Sequence, residues 1–124
     1  MDVITKKSIR RAERVLRCMP FNLDFYKEAQ NLGLSANHVF ENKEKYFIKK
    51  TKYLRNEYDI ETEFIWLITV GLLRREVDGQ GLTSKVRLTP LGRQIIEKSP
   101  EIANMKSFIF QRISHWIYRK LKLK

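Results

Sequence analysis

Apolar residues recur at helical spacing from the start of the chain. Ile9, Ala12, Val15, Leu16 and Met19 fall on one side of a helix from about Thr5 to Cys18, which stops before Pro20 because proline disfavours helix in the residue preceding it. Lys7, Arg10, Arg11, Arg14 and Arg17 form a basic stripe on another side. A second, short helix reaches Gln30; Asn22 or Asp24 caps it, Gly33 ends it, and Phe21, Leu23, Phe25 and Leu32 are its apolar residues. Ser35 caps one further turn containing Val39 and Phe40. Phe47, Ile48, Leu54 and Tyr58 then predict the apolar side of a longer helix from about Asn42 to Tyr58, with Lys43, Lys45, Lys49, Lys50, Lys52 and Arg55 around it. Asp59 is placed to cap the next helix, Ile60 to Val70. Its run from Phe64 to Ile68 is apolar on most sides, which predicts burial.

The period then changes. Val86 and Leu88 face one way while Lys85, Arg87 and Thr89 face the other, the alternation of a half-buried strand. Before it stand Gly71-Leu72-Leu73-Arg74-Arg75-Glu76-Val77 and the turn Asp78-Gly79-Gln80-Gly81, rich in residues that tolerate positive φ. After it, Thr89 caps a helix with Pro90 at its first position, ending near Ser99-Pro100. A last helix starts around Glu101 and reaches the basic end, Arg119 to Lys124.

Helix, strand, glycine turn, strand and helix between Asp59 and Pro100 resemble a winged helix-turn-helix module. The Gly-Leu-Leu step into the hairpin and Leu-Thr-Pro-Leu-Gly out of it resemble the MarR and PadR groups of bacterial regulators. That resemblance implies a mainly α fold with a small two-stranded β-hairpin, a winged helix-turn-helix with extra N- and C-terminal helices, and binding to duplex DNA. Over its whole length the chain also resembles a family of small uncharacterised cyanobacterial proteins, which implies no activity.

Composition narrows the field. A length of 124 residues fits one domain, and an apolar fraction of 43% argues against disorder. Lys and Arg number 25 against 14 Asp and Glu, a formal net charge of +11 that favours polyanionic partners. The longest apolar run, Phe64 to Leu73, is half of the roughly 20 residues needed to cross a bilayer. No apolar stretch of signal-peptide length follows the basic residues near the N-terminus. One cysteine, Cys18, cannot form an internal disulfide, which suits a reducing cytoplasm.

Enzyme chemistry finds little to stand on, and no catalytic, cofactor or metal residue is predicted. His38 and His115 lie far apart, and neither has a second ligand at a recognised metal spacing. Gly79 and Gly81 serve a turn and no Gly-Lys-Ser/Thr follows them, so there is no phosphate loop. Nucleic-acid binding is better supported. The resemblance implies that Ile60 to Val70 is the reading helix and that Arg74, Arg75, Lys85 and Arg87 lie on the wing. Lys43, Lys45, Lys49, Lys50, Lys52 and Arg55 add phosphate contacts, which position a protein without specifying sequence. One feature departs from the pattern: Asp59, Glu61 and Glu63 put three carboxylates where a duplex would approach.

Ile102, Met105, Ile109, Ile113, Trp116 and Ile117 recur at three- and four-residue steps along the final helix. By resemblance this side builds a homodimer interface; equally, it closes the core of the monomer. Basic and aromatic residues from Phe108 to Lys124 also suit an anionic membrane surface. The sequence therefore leads to the expectation of a cytoplasmic, non-enzymatic DNA-binding protein acting as a transcriptional regulator, with a protein–protein module and a membrane-surface protein as the alternatives.

Overall fold

Helix α1 (Lys6–Cys18) turns Ala12, Val15 and Leu16 into the core and Lys7, Arg10, Arg11 and Arg14 outward, as its periodicity predicts, while Arg17 of the same stripe is half-buried. In the computed structural model, residues 6–47 and 54–104 are described; Ile48, Lys49, Lys50, Lys52, and Met105 through Lys124 lie outside the described residues. Helix α2 (Leu23–Asn31) is capped by Asn22, whose Oδ1 accepts the Phe25 amide at 3.1 Å. Ser35 caps α3 (Ala36–Glu41) in the same way, accepting the His38 amide at 3.1 Å. Gly33 does not end α2 through a left-handed turn. The positive-φ glycines are Gly71 and Gly81, and α2 stops where Leu32 goes extended.

The long helix expected from Asn42 to Tyr58 does not form. A single turn, α4 (Lys43–Tyr46), is followed by Phe47 in extended geometry, paired antiparallel with Phe21. The reason is tertiary. The Asn22 amide donates to Tyr46 O at 2.8 Å and Asn22 Nδ2 donates to Lys45 O at 2.6 Å, so the α4 carbonyls are taken by the chain entering α2. Phe47 then packs its ring 5.8 Å from that of Phe21. Tyr58, expected on the apolar side, is 76% exposed.

Helix α5 (Glu57–Thr69) also starts earlier than expected. Asn56, not Asp59, is its cap, accepting the Asp59 amide at 3.0 Å. Most of its apolar side is buried as predicted, with Ile60, Phe64, Trp66 and Leu67 each 1% exposed or less, but Ile65 within the run is 46% exposed. Phe64 sits 5.7 Å from Phe21 and 5.8 Å from Phe25, while Phe21 and Phe25 stack at 4.3 Å. Such ring pairs are worth about 0.5–1.5 kcal/mol each beyond the area they bury. This aromatic cluster joins the entry to α2 to the middle of α5.

Strands β1 (Leu73–Asp78) and β2 (Gly81–Leu88) form an antiparallel hairpin. Leu73 stands opposite Leu88, Arg74 opposite Arg87 and Arg75 opposite Val86; after an irregularity, Val77 stands opposite Leu82. Val86 and Leu88 are buried, as their alternation requires. Val86 also exchanges two backbone hydrogen bonds with Leu34, at 2.9 and 3.0 Å, so a third, one-residue strand lies against β2. Helix α6 (Pro90–Lys98) and a 3-10 turn (Pro100–Asn104) follow, the latter in place of the start of a long helix. Among the described residues the fold is mainly helical with one two-stranded hairpin.

Both ends of the hairpin meet at Thr89. Its hydroxyl donates to Gly71 O at 2.5 Å, with Leu72 O at 3.2 Å, and accepts the Gly92 amide at 3.1 Å. The Thr89 amide donates to Leu72 O at 3.1 Å. Gly71 takes φ of +85°, which lets the chain turn from α5 into β1. Gly92 is needed for close approach, because a Cβ there would lie 2.8 Å from Leu72 O and 2.6 Å from the Leu88 side chain. Thr89→Val should therefore cost about 1–2 kcal/mol. Gly92→Ala should cost about 1–3 kcal/mol despite alanine's better helix propensity. Both should appear as a lower urea midpoint at unchanged slope. A Gly92→Ala midpoint equal to the parent's would mean that Leu88 moves aside and the approach to Leu72 is not limiting.

Candidate nucleic-acid interface

The carboxylates Asp59, Glu61 and Glu63 do not share one outer face of α5. The ion pair between Glu61 and Arg75 of β1 ties helix to hairpin. Glu63 is turned inward and is 3% exposed. Asp59 Oδ2 accepts the Arg55 amide at 2.8 Å, and Glu57, in the first turn, accepts Asn37 Nδ2 from α3. What α5 presents outward is Tyr58, Thr62, Ile65 and Thr69, spaced by four, three and four residues along one side. Thr62 and Thr69 donate their hydroxyls to carbonyls one turn earlier, Tyr58 O at 3.0 Å and Ile65 O at 2.8 Å. Each hydroxyl oxygen keeps acceptor capacity.

The four hairpin cations divide into two pairs. Arg74 and Lys85 are exposed. Arg75 holds Glu61 and also donates from Nη1 to Ser84 O at 2.8 Å, bracing β1 to β2. Arg87 donates from Nη2 to Gln30 O at 3.0 Å, while its Nη1 lies 3.6 Å from Glu76 Oε1. Gln30 is in the last turn of α2, where a cation meets the negative end of the helix. The Glu76 carboxylate lies over the backbone of Gly33, in space that any side chain at 33 would occupy. Arg87 thus works as a brace between hairpin and α2.

Lys43, Lys45 and Arg55 are exposed, but α4 is one turn long and the three do not share a helical stripe. Lys43 lies 5.1 Å from the Phe40 ring centre. Lys45 pairs with Glu28 Oε2 at 2.6 Å, and Glu28 Oε1 accepts the buried Tyr46 hydroxyl at 3.0 Å. His38 Nε2 stands 3.1 Å from that same hydroxyl. The bond from Lys45 holds the Glu28 carboxyl below its ordinary range, and the same bond raises the Lys45 ammonium. Burial raises the Tyr46 hydroxyl. Nothing local in the sequence signals this network or the Arg87 brace, whose partners lie 18 and 57 residues apart.

Of the apolar set assigned to a dimer interface, Ile102 is 4% exposed within the monomer core, where the 3-10 turn meets α1 and α6. Met105, Ile109, Ile113, Trp116 and Ile117 lie outside the described residues. Among the described residues no group of three His, Cys, Asp or Glu is placed to hold a metal ion, and no helix is long and apolar enough to cross a membrane.

The Npun_F0494-like family matches residues 3–119, nearly the whole chain. No curated protein and no solved structure matches it.

The lowered Glu28 pKa has a consequence for acid stability. A depressed carboxyl contributes stability above its unfolded pKa, near 4.5, and loses it as pH falls through the lower folded value. Glu28→Gln should therefore be less stable than the parent at neutral pH, with the difference closing below about pH 4. Urea midpoints measured across pH 3–8 test this; a difference that stays constant would mean that the carboxylate charge contributes nothing.

Proposed function

We propose that this chain, which belongs to the Npun_F0494-like family, is a winged-helix protein that binds duplex DNA. The observation that carries this reading is the two-way hydrogen bonding between Leu34 and Val86. Apart from the single turn α4 between α3 and α5, it makes the order α2, short strand, α3, α5, β1, β2, with a three-stranded edge and α5 leading directly into the hairpin. That is the order of a winged helix, in which the helix before the wing enters the major groove and the wing reaches the flanking backbone.

The electrostatics support it. Glu63 is buried and Glu61 is paired with Arg75, Glu57 and Asp59 stay at the surface of the first turn, and one side of α5 presents three hydroxyl-bearing residues. Arg74 and Lys85 remain available on the hairpin, within a chain of net charge +11. Affinity then comes mainly from phosphate neutralisation, and a face of Tyr58, Thr62, Ile65 and Thr69 gives modest base reading. The role is that of a cytoplasmic, non-enzymatic transcriptional regulator.

One observation favours a second reading, a protein–protein module. Val77 and Leu82 face each other across the hairpin and are 61% and 76% exposed, an apolar tip where a phosphate-binding wing would carry cations.

Arg74→Glu with Lys85→Glu should lower affinity for a labelled random-sequence duplex at least tenfold, measured by fluorescence anisotropy at low salt. Arg87 is left intact because its loss would release the brace. Unchanged affinity would remove the hairpin from the interface. Weakened binding in Val77→Ser with Leu82→Ser, at unchanged DNA affinity, to a protein that co-purifies with the parent would favour the second reading.

A further inference from the structure

On α1, Lys7, Arg10, Arg11 and Arg14 are all exposed. Their spacing of three, one and three residues puts them on one face, a ridge about 10 Å long at 1.5 Å per residue. None is in an ion pair among the described residues, whose salt bridges lie elsewhere. Glu13, the one acid on this helix, is half-buried and pairs with none of them. Like charges three and four residues apart destabilise a helix. The ridge therefore works against the helix, and among the described residues no ion pair offsets it.

From this we infer a second polyanion-binding surface: the α1 ridge binds the phosphate backbone of nucleic acid independently of the hairpin. Helix α1 packs on α6 and the 3-10 turn, whereas the hairpin packs on α2 and α5 and touches α6 through β2. A ridge of about 10 Å spans roughly three phosphate steps of one strand, at about 3.4 Å of axis each. Three of the four cations are arginines, whose planar forks bind phosphate oxygens in pairs. An anionic membrane is the less fitting partner. A helix that lies in a bilayer surface needs an exposed apolar face, and the apolar side of α1 is in the core.

The test compares the full chain with Lys7→Gln/Arg10→Gln/Arg11→Gln/Arg14→Gln and with the hairpin pair Arg74→Glu/Lys85→Glu. Each is titrated against a labelled random-sequence duplex at several salt concentrations, and against phosphatidylserine vesicles. The ridge variant should bind DNA at least thirtyfold more weakly at low salt, with the slope of log affinity against log salt reduced by about 3. This loss should appear whether or not the hairpin pair matters, which separates the two surfaces. DNA binding equal to the parent's, loss of vesicle binding alone, or a parent that does not bind DNA at low salt would each overturn the inference. Should the fourfold variant fail to fold, Lys7→Gln/Arg10→Gln and Arg11→Gln/Arg14→Gln each carry half the expected slope change, and Arg→Lys at the three arginines should restore most of the binding.

Discussion

The fold depends on the junction at Thr89. One hydroxyl and one amide hold the carbonyls of Gly71 and Leu72, where the chain enters the hairpin, against the turn where it leaves. The same hydroxyl caps α6. Gly92 lets the first turn of α6 sit against Leu72 and Leu88. A two-stranded hairpin is marginal in water by itself; the junction adds to the Leu34–Val86 pairing and the Arg75 and Arg87 braces in holding this one to the helices. With it, Leu73, Val86 and Leu88 are pressed into the same core as Phe64 and Trp66.

Around the junction, charge is used mostly to join elements. Glu61 and Arg75 tie α5 to β1; Glu76 and Arg87 pair across the hairpin, where Arg87 also reaches Gln30 O at the end of α2; Glu28 and Lys45 tie α2 to α4. Each pair is partly exposed, so its own contribution is small. Their collective effect is on what remains for a partner. Glu28, Glu61 and Glu76 are held in these pairs and Glu63 is buried, whereas Lys7, Arg10, Arg11 and Arg14 of α1 and the hairpin's Arg74 and Lys85 are exposed outside them. Exposed acids remain too, among them Glu57 on α5 and Asp78 on the hairpin, so the surface carries both signs.

Wherever local periodicity and turn chemistry agree, the sequence is legible. The apolar side of α1, the Ser35 cap, the buried run of α5, the alternation of β2 and the Thr89-Pro90 start of α6 are all readable from neighbouring residues. The failure from Asn42 to Tyr58 has a different origin. Helical spacing of Phe47, Leu54 and Tyr58 is a real pattern, but Asn22 and Phe21 take the backbone at Lys45 to Phe47 from more than twenty residues away. The same limit applies to the candidate interface. Arg74, Arg75, Lys85 and Arg87 look alike in sequence, and only the positions of Glu61, Gln30 and Glu76 separate two braces from two exposed cations. Glu63, read as part of an acidic cluster at the approach face, turns out to be a core position.

The bare backbone at Gly33 carries a thermodynamic consequence. Because the Glu76 carboxylate fills the space beside it, and Leu34 next to it is bonded both ways to Val86, the base of the hairpin has no free rotation relative to α2. A partner meeting this arm finds it already ordered. The conformational entropy that a loose loop would surrender on binding has been surrendered on folding, so less of the contact free energy is lost to immobilisation. The corresponding cost is adaptability: a rigid arm suits surfaces of one curvature and loses contacts on any other.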